Sequence, residues 1–171
     1  MNIVVIGGAG FIGCNVADHY LKNKHHVTVF DNFSRKGTLQ NLQWLQSKHT
    51  DNLFVVQGDT RLDFNKLKAA VGKADIVFHL AAQVAVTTSV VDPREDFEIN
   101  ALGTFNVLEA IRLAGNNPVV LYSSTNKVYG GMEHVTIVER NGEYDYESLP
   151  LGVGESEQLD FHSPYGCSKG T

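Results

Sequence analysis

Tyr165 and Lys169 stand four residues apart in "HSPYGCSKG", a spacing that sets a phenol and an ammonium on one face of a helix. Ser163 is a natural N-cap, and Pro164 suits the first helical position because the N–H it lacks has no intrahelical partner there. Two readings of the pair are open: packing on a helix face, or a phenol whose proton affinity is set by a neighbouring positive charge. A free phenol, with pKa ~10, is a poor base near neutrality, and an adjacent ammonium favours its phenolate. Residues 164–171 amount to about two helical turns, short of the ~12–15 residues an isolated helix needs, so weak support for the pair is expected.

A second group of residues suits phosphate. In "NIVVIGGAGFIG" an apolar run passes into Gly8-Ala9-Gly10-Phe11-Ile12-Gly13, which satisfies G-x-G-x-x-G, while Gly7, Gly10 and Gly13 satisfy G-x-x-G-x-x-G. Glycine permits a tight turn and close approach to a pyrophosphate, whose charge meets free N–H groups and the positive end of a helix dipole. Cys14 occupies the position where a triphosphate-hydrolysing loop needs Lys, which disfavours that chemistry. Asp31 lies about 20 residues further on, where an acid can hydrogen-bond an adenosine ribose 2′-OH. Its carboxylate would repel the extra phosphate of NADP, whereas Arg35 could reach that phosphate, and on balance NAD is expected. The plainer alternatives are a tight strand-to-helix corner for the glycines and a strand-end turn residue for Asp31.

The elements that must position these residues alternate. Short β-branched runs recur at Ile3–Ile6, Val27–Phe30, Leu53–Val56, Ile76–Leu80 and Val119–Tyr122, with helical patterns at Phe11–Asn23, Thr38–Ser47, Phe64–Val71 and Pro93–Ala114. In the last of these, Phe97, Ala101, Phe105, Leu108 and Ile111 form an apolar stripe, expected to face the core. The alternation predicts an α/β fold, a Rossmann-type doubly wound parallel sheet in order 3-2-1-4-5 with helices on both faces. Ligands in such sheets lie outside the carboxyl ends of strands, which brings Ser123, Ser124 and Thr125 to the crevice. Residues 130–163 are too long for an ordinary connection. Within them Asn141-Gly142 suits a type I′ hairpin turn, with an irregular loop as the alternative.

At 171 residues, 43% hydrophobic and 19% charged, the chain suits one globular domain. Its 14 basic and 19 acidic residues, net charge −5, argue against a nucleic-acid partner, because such binding draws its affinity from neutralising phosphates. Cys14 and Cys167 have neither metal-ligand spacing nor disulfide density, which suggests reduced thiols and a cytoplasmic location. No basic leader or apolar run of ~20 residues is present, so neither signal peptide nor membrane span is expected. The seven histidines show no metal-binding spacing and are read as surface or core residues.

Taken together, GGAGFIG, Asp31, Asp59 in "QGD", "HLAAQ", Asn100 in "INALGT", "SSTNKVYG" and Tyr165-x-x-x-Lys169 resemble the extended short-chain dehydrogenase/reductase family, in its nucleotide-sugar branch. The resemblance spans the chain and implies that Tyr165 takes a sugar hydroxyl proton while hydride passes to NAD. Lys169 would hold the nicotinamide ribose and favour the phenolate, and the Thr125 hydroxyl would bridge the tyrosine and the reacting oxygen. Cofactor contacts are implied for Gly7, Gly10, Phe11, Ile12, Gly13, Asp31, Asn32, Ser34, Arg35, Asp59, Thr60, Leu80, Ala81, Ala82, Gln83, Asn100, Ser123, Tyr165 and Lys169, with Asp59 at the adenine. No metal is implied. Dehydratases of the branch carry an Asp-Glu pair directly after the Thr, and here Asn126 and Lys127 stand there, which turns the expectation from dehydration to epimerisation. A UDP-sugar 4-epimerase, a nucleotide-sugar reductase and a catalytically silent NAD-binding fragment are the alternatives. Relatives of this kind continue beyond Tyr-x-x-x-Lys into a sugar-binding domain and pair as dimers through the helix after Asn100 and the helix begun at Tyr165. Residues 1–171 are accordingly expected to be the NAD-binding domain, cut after that motif, with the substrate domain outside this chain.

Overall fold

In a computed structural model that describes residues 1–171, five parallel strands form one sheet in the order β3-β2-β1-β4-β5. They are β1 (Asn2–Ile6), β2 (His26–Asp31), β3 (Leu53–Gln57), β4 (Ile76–His79) and β5 (Val119–Tyr122), within a residue or two of the sequence expectation. The registers Ile3↔Val27 and Ile3↔Ile76 place β1 between β2 and β4. The central strands read as unbroken apolar runs because both faces are covered. On one face Ile3, Val5, Val27 and Val29 pack against Cys14, Ala17 and Leu21 of α1 (Phe11–Lys22) and Leu45 of α2 (Thr38–Lys48). On the other, Val4, Ile6, Phe30 and Val77 meet Leu67 and Val71 of α3 (Phe64–Val71). The chain order reverses between β1 and β4, which opens a crevice at their carboxyl ends.

Between β4 and β5 the structure departs from expectation. A short helix α4 (Val86–Val91) forms from "VTTSVV", whose β-branched residues gave no helical signal; its Ser89 is fully buried. The expected helix over Pro93–Ala114 is present as α5 (Pro93–Phe97), a π-helical turn (Glu98–Leu102) and α6 (Gly103–Ala114). Its predicted apolar stripe is corrected: Phe97, Phe105 and Leu108 lie exposed, at 49%, 62% and 51%. The inward face is Asp96, Asn100, Gly103, Val107 and Ala110, whose spacing is just as helical. Close approach requires small residues there, since a Cβ at Gly103 would lie 2.7 Å from Thr60 Oγ1, and the two polar residues find buried partners described below.

Asn141-Gly142 does make a two-residue turn, with both φ angles positive, between β6 (Ile137–Arg140) and β7 (Glu143–Tyr146). The closing helix α7 (Pro164–Gly170) starts at Ser163, whose Oγ accepts from Gly166 N at 3.0 Å. It packs on α4, α5 and the 3-10 turn Asn126–Val128. That packing corrects the expectation of a weakly supported pair: Tyr165 and Lys169 are 8% and 5% exposed, and tertiary burial supplies what the short helix lacks. No helix is long and apolar enough to cross a membrane.

Candidate active site

The turn from β1 into α1 is shaped by its glycines. Gly7 has φ +80°, and a Cβ there would lie 2.6 Å from Ala81 N, so the loop presses directly on the segment after β4. Gly8 packs against Val5 O and Val29, and a Cβ at Gly13 would strike the Gly7 carbonyl. No side chain caps α1 at Gly10, which leaves the first-turn N–H groups, those of Phe11, Ile12 and Gly13 among them, free to face an anion. Phe11 and Ile12 are exposed beside the crevice. This cradle fits a pyrophosphate: it has donors, a positive dipole end and no side-chain bulk in the way.

Asp31 closes the loop from the end of β2. It is 9% exposed, and its carboxylate accepts from Ala9 N at 3.0 Å and Phe33 N at 2.9 Å. Each oxygen keeps a lone pair, so Asp31 both fixes the loop and can take ribose hydroxyls. Asn41 Nδ2 braces the same loop at Ala9 O, 2.8 Å, a contact the sequence motifs did not signal. Asn32, Ser34 and Arg35 lie exposed beyond Asp31, in a loop where Asn32 Oδ1 accepts from Ser34 N. Asn32 Nδ2 reaches Asp59 Oδ2 at 2.9 Å. Arg61 grips the Asp59 carboxylate with two side-chain N–H groups, holding it at a pKa of about 2 against the opposing cost of burial. Arg61 was not legible as a partner, although its i+2 spacing allowed it. Thr60 is buried under Gly103.

Leu80, Ala81 and Ala82 leave β4 across from Gly7, with Leu80 N bonded to Ile6 O. Gln83 follows and enters a buried polar network. Its backbone N–H donates to Asn100 Oδ1 at 2.9 Å, and its Nε2 donates to Asp96 Oδ1 at 2.9 Å. Asn100 Nδ2 donates to Ser168 Oγ at 3.0 Å and also contacts Asp96, while Ser168 Oγ donates to Asp96 Oδ2 at 2.5 Å. The π turn aims Asn100 into this network. Ser89 Oγ accepts from Tyr165 N at 3.2 Å. Ser89, Asp96 and Ser168 were missed by the motifs; the signal available was polar residues on the inward period of a helix.

Lys169 and Tyr165 share the buried face of α7, as their spacing required. Lys169 Nζ sits 4.1 Å from the Tyr122 ring centroid, a cation–π contact, and Tyr122 OH reaches the Lys169 carbonyl at 3.4 Å. Burial lowers the Lys169 pKa to about 8, with the Asp96 charge acting in the opposite direction. Burial raises the Tyr122 pKa, with the nearby Thr104 acting in the opposite direction and Tyr165 adding to the rise. Under the pair lies His79, 2% exposed and pushed down to about 4 by burial and then by the Lys169 charge. Thr104 Oγ1 donates to Asn100 O at 2.6 Å, so His79 Nε2 donates to Thr104 at 2.9 Å and Nδ1 is left without a partner.

Thr125 follows β5, and its Oγ1 accepts from Lys127 N at 3.3 Å, capping the 3-10 turn rather than bonding Tyr165. That turn touches α7 so closely that a Cβ at Gly166 would lie 2.5 Å from Lys127 O. Thr125 and Tyr165 therefore belong to neighbouring elements without a direct hydrogen bond. Ser123 is half-buried, its N–H bonded to His79 O. Next to the 3-10 turn, where Asp160 N donates to Val128 O, Glu133, Asp160 and His162 bring potential ligand atoms within 4.8 Å of one another, all three exposed, a grouping their linear spacing did not foretell.

The glycine cradle, the acid at the end of β2 and a buried Tyr-x-x-x-Lys pair on α7 are the marks of the extended short-chain dehydrogenase/reductases, and the chain belongs to that family: the family model described as GDP-mannose 4,6 dehydratase matches residues 4–171. Among particular proteins it is similar to CDP-paratose 2-epimerase of Salmonella typhi, 48% identical over 172 residues that cover 99% of this chain and 50% of that protein. It is 40% identical over 131 residues to UDP-glucose 4-epimerase of Mycolicibacterium smegmatis, covering 76% of this chain and 41% of the relative. Among solved structures, the UDP-glucose 4-epimerase of Thermus thermophilus in complex with NAD superposes with a TM-score of 0.74 at 32% identity, over 99% of this chain and 47% of that one. The chain thus spans about half the length of the curated relatives it matches.

Proposed function

We propose that residues 1–171 are the cofactor half of an NAD-dependent nucleotide-sugar epimerase that interconverts CDP-paratose and CDP-tyvelose by inversion at C2. The observation that carries the reading is the burial of Tyr165 and Lys169 together on α7, in a chain whose β1–α1 turn is a glycine cradle, with Asn126 and Lys127 where a dehydratase would place a carboxyl pair. An amide and an ammonium cannot stand in for the carboxyl pair that gives and takes protons in the loss of water. The choice of CDP-paratose is supported by the 48% identity, and UDP-glucose 4-epimerase is the weaker match.

Gly7, Gly10 and Gly13 would hold the pyrophosphate of NAD on the α1 N-terminus, and Asp31 the adenosine ribose, with Asp59 near the adenine. Bound NAD supplies reversible hydride acceptance and return. Tyr165, as phenolate, accepts the C2 hydroxyl proton as the C2–H bonding pair leaves with its hydrogen, giving a ketone. After the sugar presents its other face, Tyr165 returns the proton to the oxygen as C2 regains hydride. Lys169, charged below about pH 8, favours the phenolate and orients the nicotinamide ribose. Thr125 would bridge phenol and substrate oxygen on binding of the sugar.

A cytoplasmic location accords with two free cysteines. The exposed Phe97, Phe105 and Leu108 support a second copy of the chain as partner, since singly exposed apolar residues are ordinary but a helical row of them is not. Calorimetric titration tests the cofactor half directly: saturable binding of NAD with at least tenfold weaker NADP is expected, and equal or reversed preference would overturn the Asp31 assignment. Conversion of CDP-paratose by the full-length protein, followed by chromatography, tests the reaction; conversion of UDP-glucose alone would overturn the substrate.

A further inference from the structure

Asp96 is 1% exposed, and every group bonded to it donates: Gln83 Nε2 and Asn100 Nδ2 to one oxygen, Ser168 Oγ to the other. No Lys, Arg or His forms an ion pair with it, although burying a carboxylate away from water is costly. An asparagine would complete the same network without that cost. Its carbonyl would accept from Gln83 and Asn100, its amide would donate to Ser168, and the serine hydroxyl would turn to its other available acceptor, the Tyr165 carbonyl at 3.2 Å. The hydrogen bonds therefore do not account for the charge. What does need a negative charge is Lys169, an ammonium 5% exposed whose own side-chain contact is the face of Tyr122.

We propose that Asp96 is a positioning residue of the Tyr165–Lys169 pair: locked by Gln83, Asn100 and Ser168, its carboxylate is the buried countercharge that keeps the Lys169 ammonium in place beside Tyr165. α7 packs on α5, where Asp96 bonds Ser168, the residue directly before Lys169, and the other titratable groups about Lys169 are His79 of β4, Tyr122 of β5 and Tyr165 of α7 itself. Lys127 of the 3-10 turn is exposed, Glu98 is paired with Arg94 at 2.9 Å, and α4 carries no titratable side chain. His79 is neutral above about pH 4, which leaves Asp96 as the one carboxyl group among them. Burial has taken Lys169 to about 8 with Asp96 pulling the other way, and loss of that pull lowers the midpoint further.

The proposal rests on the reading of Tyr165 and Lys169 as the reacting pair, and its test does not require turnover. The 13Cε resonance of Lys169 is titrated in the 171-residue chain, as wild type and as Asp96→Asn. The substitution is expected to move the Lys169 midpoint down by about one pH unit, and a move of less than ~0.3 unit would overturn the countercharge. Ser168→Ala keeps the charge and removes one tether; a midpoint near wild type is expected, and a drop as large as that of Asp96→Asn would overturn it. Should Asp96→Asn fail to fold, the wild type decides: the 13Cγ resonance of Asp96 is expected to inflect at the Lys169 midpoint, and no inflection overturns the proposal. In the full-length enzyme the alkaline limb of the pH–rate profile follows the same shift, whereas a purely structural Asp96 would lower turnover equally at every pH. A midpoint shift in a protein without epimerase turnover would sustain Asp96 and sink only the reading of the pair.

Discussion

At the β1–α1–β2 corner the contacts span little chain: Ala9 meets Asp31 across 22 residues and Asn41 across 32. At the α7 corner Ser168 meets Asp96 across 72 and Tyr165 meets Ser89 across 76. The first corner is built by backbone geometry, in which glycines define a cradle and the helix dipole supplies the charge. The second is built from side chains with little individual signature, assembled by the fold around one short helix. A phosphate site can be made locally because backbone N–H groups are available at every helix start. A buried phenol–ammonium pair requires desolvation, which only distant segments packed together provide. The two corners should therefore fail in different ways.

The largest effect falls at the non-local corner. Tyr165→Phe in the full-length protein is expected to lower turnover by roughly a thousandfold or more, because proton transfer and the charge it stabilises are lost together. NAD affinity measured by calorimetry should stay within about threefold, since the phenol adds little to binding of the cofactor. Retained turnover would overturn the proposal that Tyr165 is the base.

Gly7→Ala reverses that pattern. The residue holds φ +80° and its new Cβ would press on Ala81 N at 2.6 Å, so strain and collision act together. A loss of about 3 kcal/mol or more is expected in urea unfolding, with NAD binding lost at ordinary concentrations. Wild-type binding in this variant would mean that the loop has another way to approach a phosphate.

His79 makes the desolvation beneath the pair measurable. Its folded pKa of about 4 lies below the ordinary value of 6.5, so the unfolded chain binds the extra proton between those limits. Stability is full above pH ~6.5 and falls as pH drops toward 4, by at most about 3 kcal/mol. His79→Gln keeps a donor for Thr104 and removes the titration, so the difference in unfolding free energy between pH 7 and pH 4.5 should shrink. An unchanged difference would place the acid sensitivity elsewhere.

The contrast also explains what the sequence could reveal. All five strands, their order, α3 at Phe64–Val71 and the Gly-x-x-Gly-x-x-Gly loop follow from short-range pattern. Tyr165 and Lys169 were found by spacing, but their support was not. Asp96, Ser168, Ser89 and His79 are ordinary polar residues in isolation and acquire meaning only when α4, α5 and α7 close on one another. The misplaced stripe on α6 has the same origin. Large apolar side chains suggested the inward face, whereas the network and the approach to Thr60 select Asn100 and Gly103. Hydrophobicity reports which residues can be buried, and it is silent on which face a polar network claims.

Gly142 provides the smallest and most discriminating test, because it shares its backbone conformation with Gly7 and almost nothing else. Its φ is +81°, but a Cβ there meets nothing within 4 Å, and the hairpin it turns lies outside the main sheet. Gly142→Ala should therefore cost only the strain of a left-handed alanine, about 1 kcal/mol, felt as faster amide exchange in β6 and β7. NAD affinity should be unchanged. A loss comparable to that of Gly7→Ala would show that backbone strain alone governs both sites, and that the close approach to Ala81 contributes little to the cradle. A small local loss would assign the difference between the two glycines to packing across the sheet, where β1 meets the end of β4.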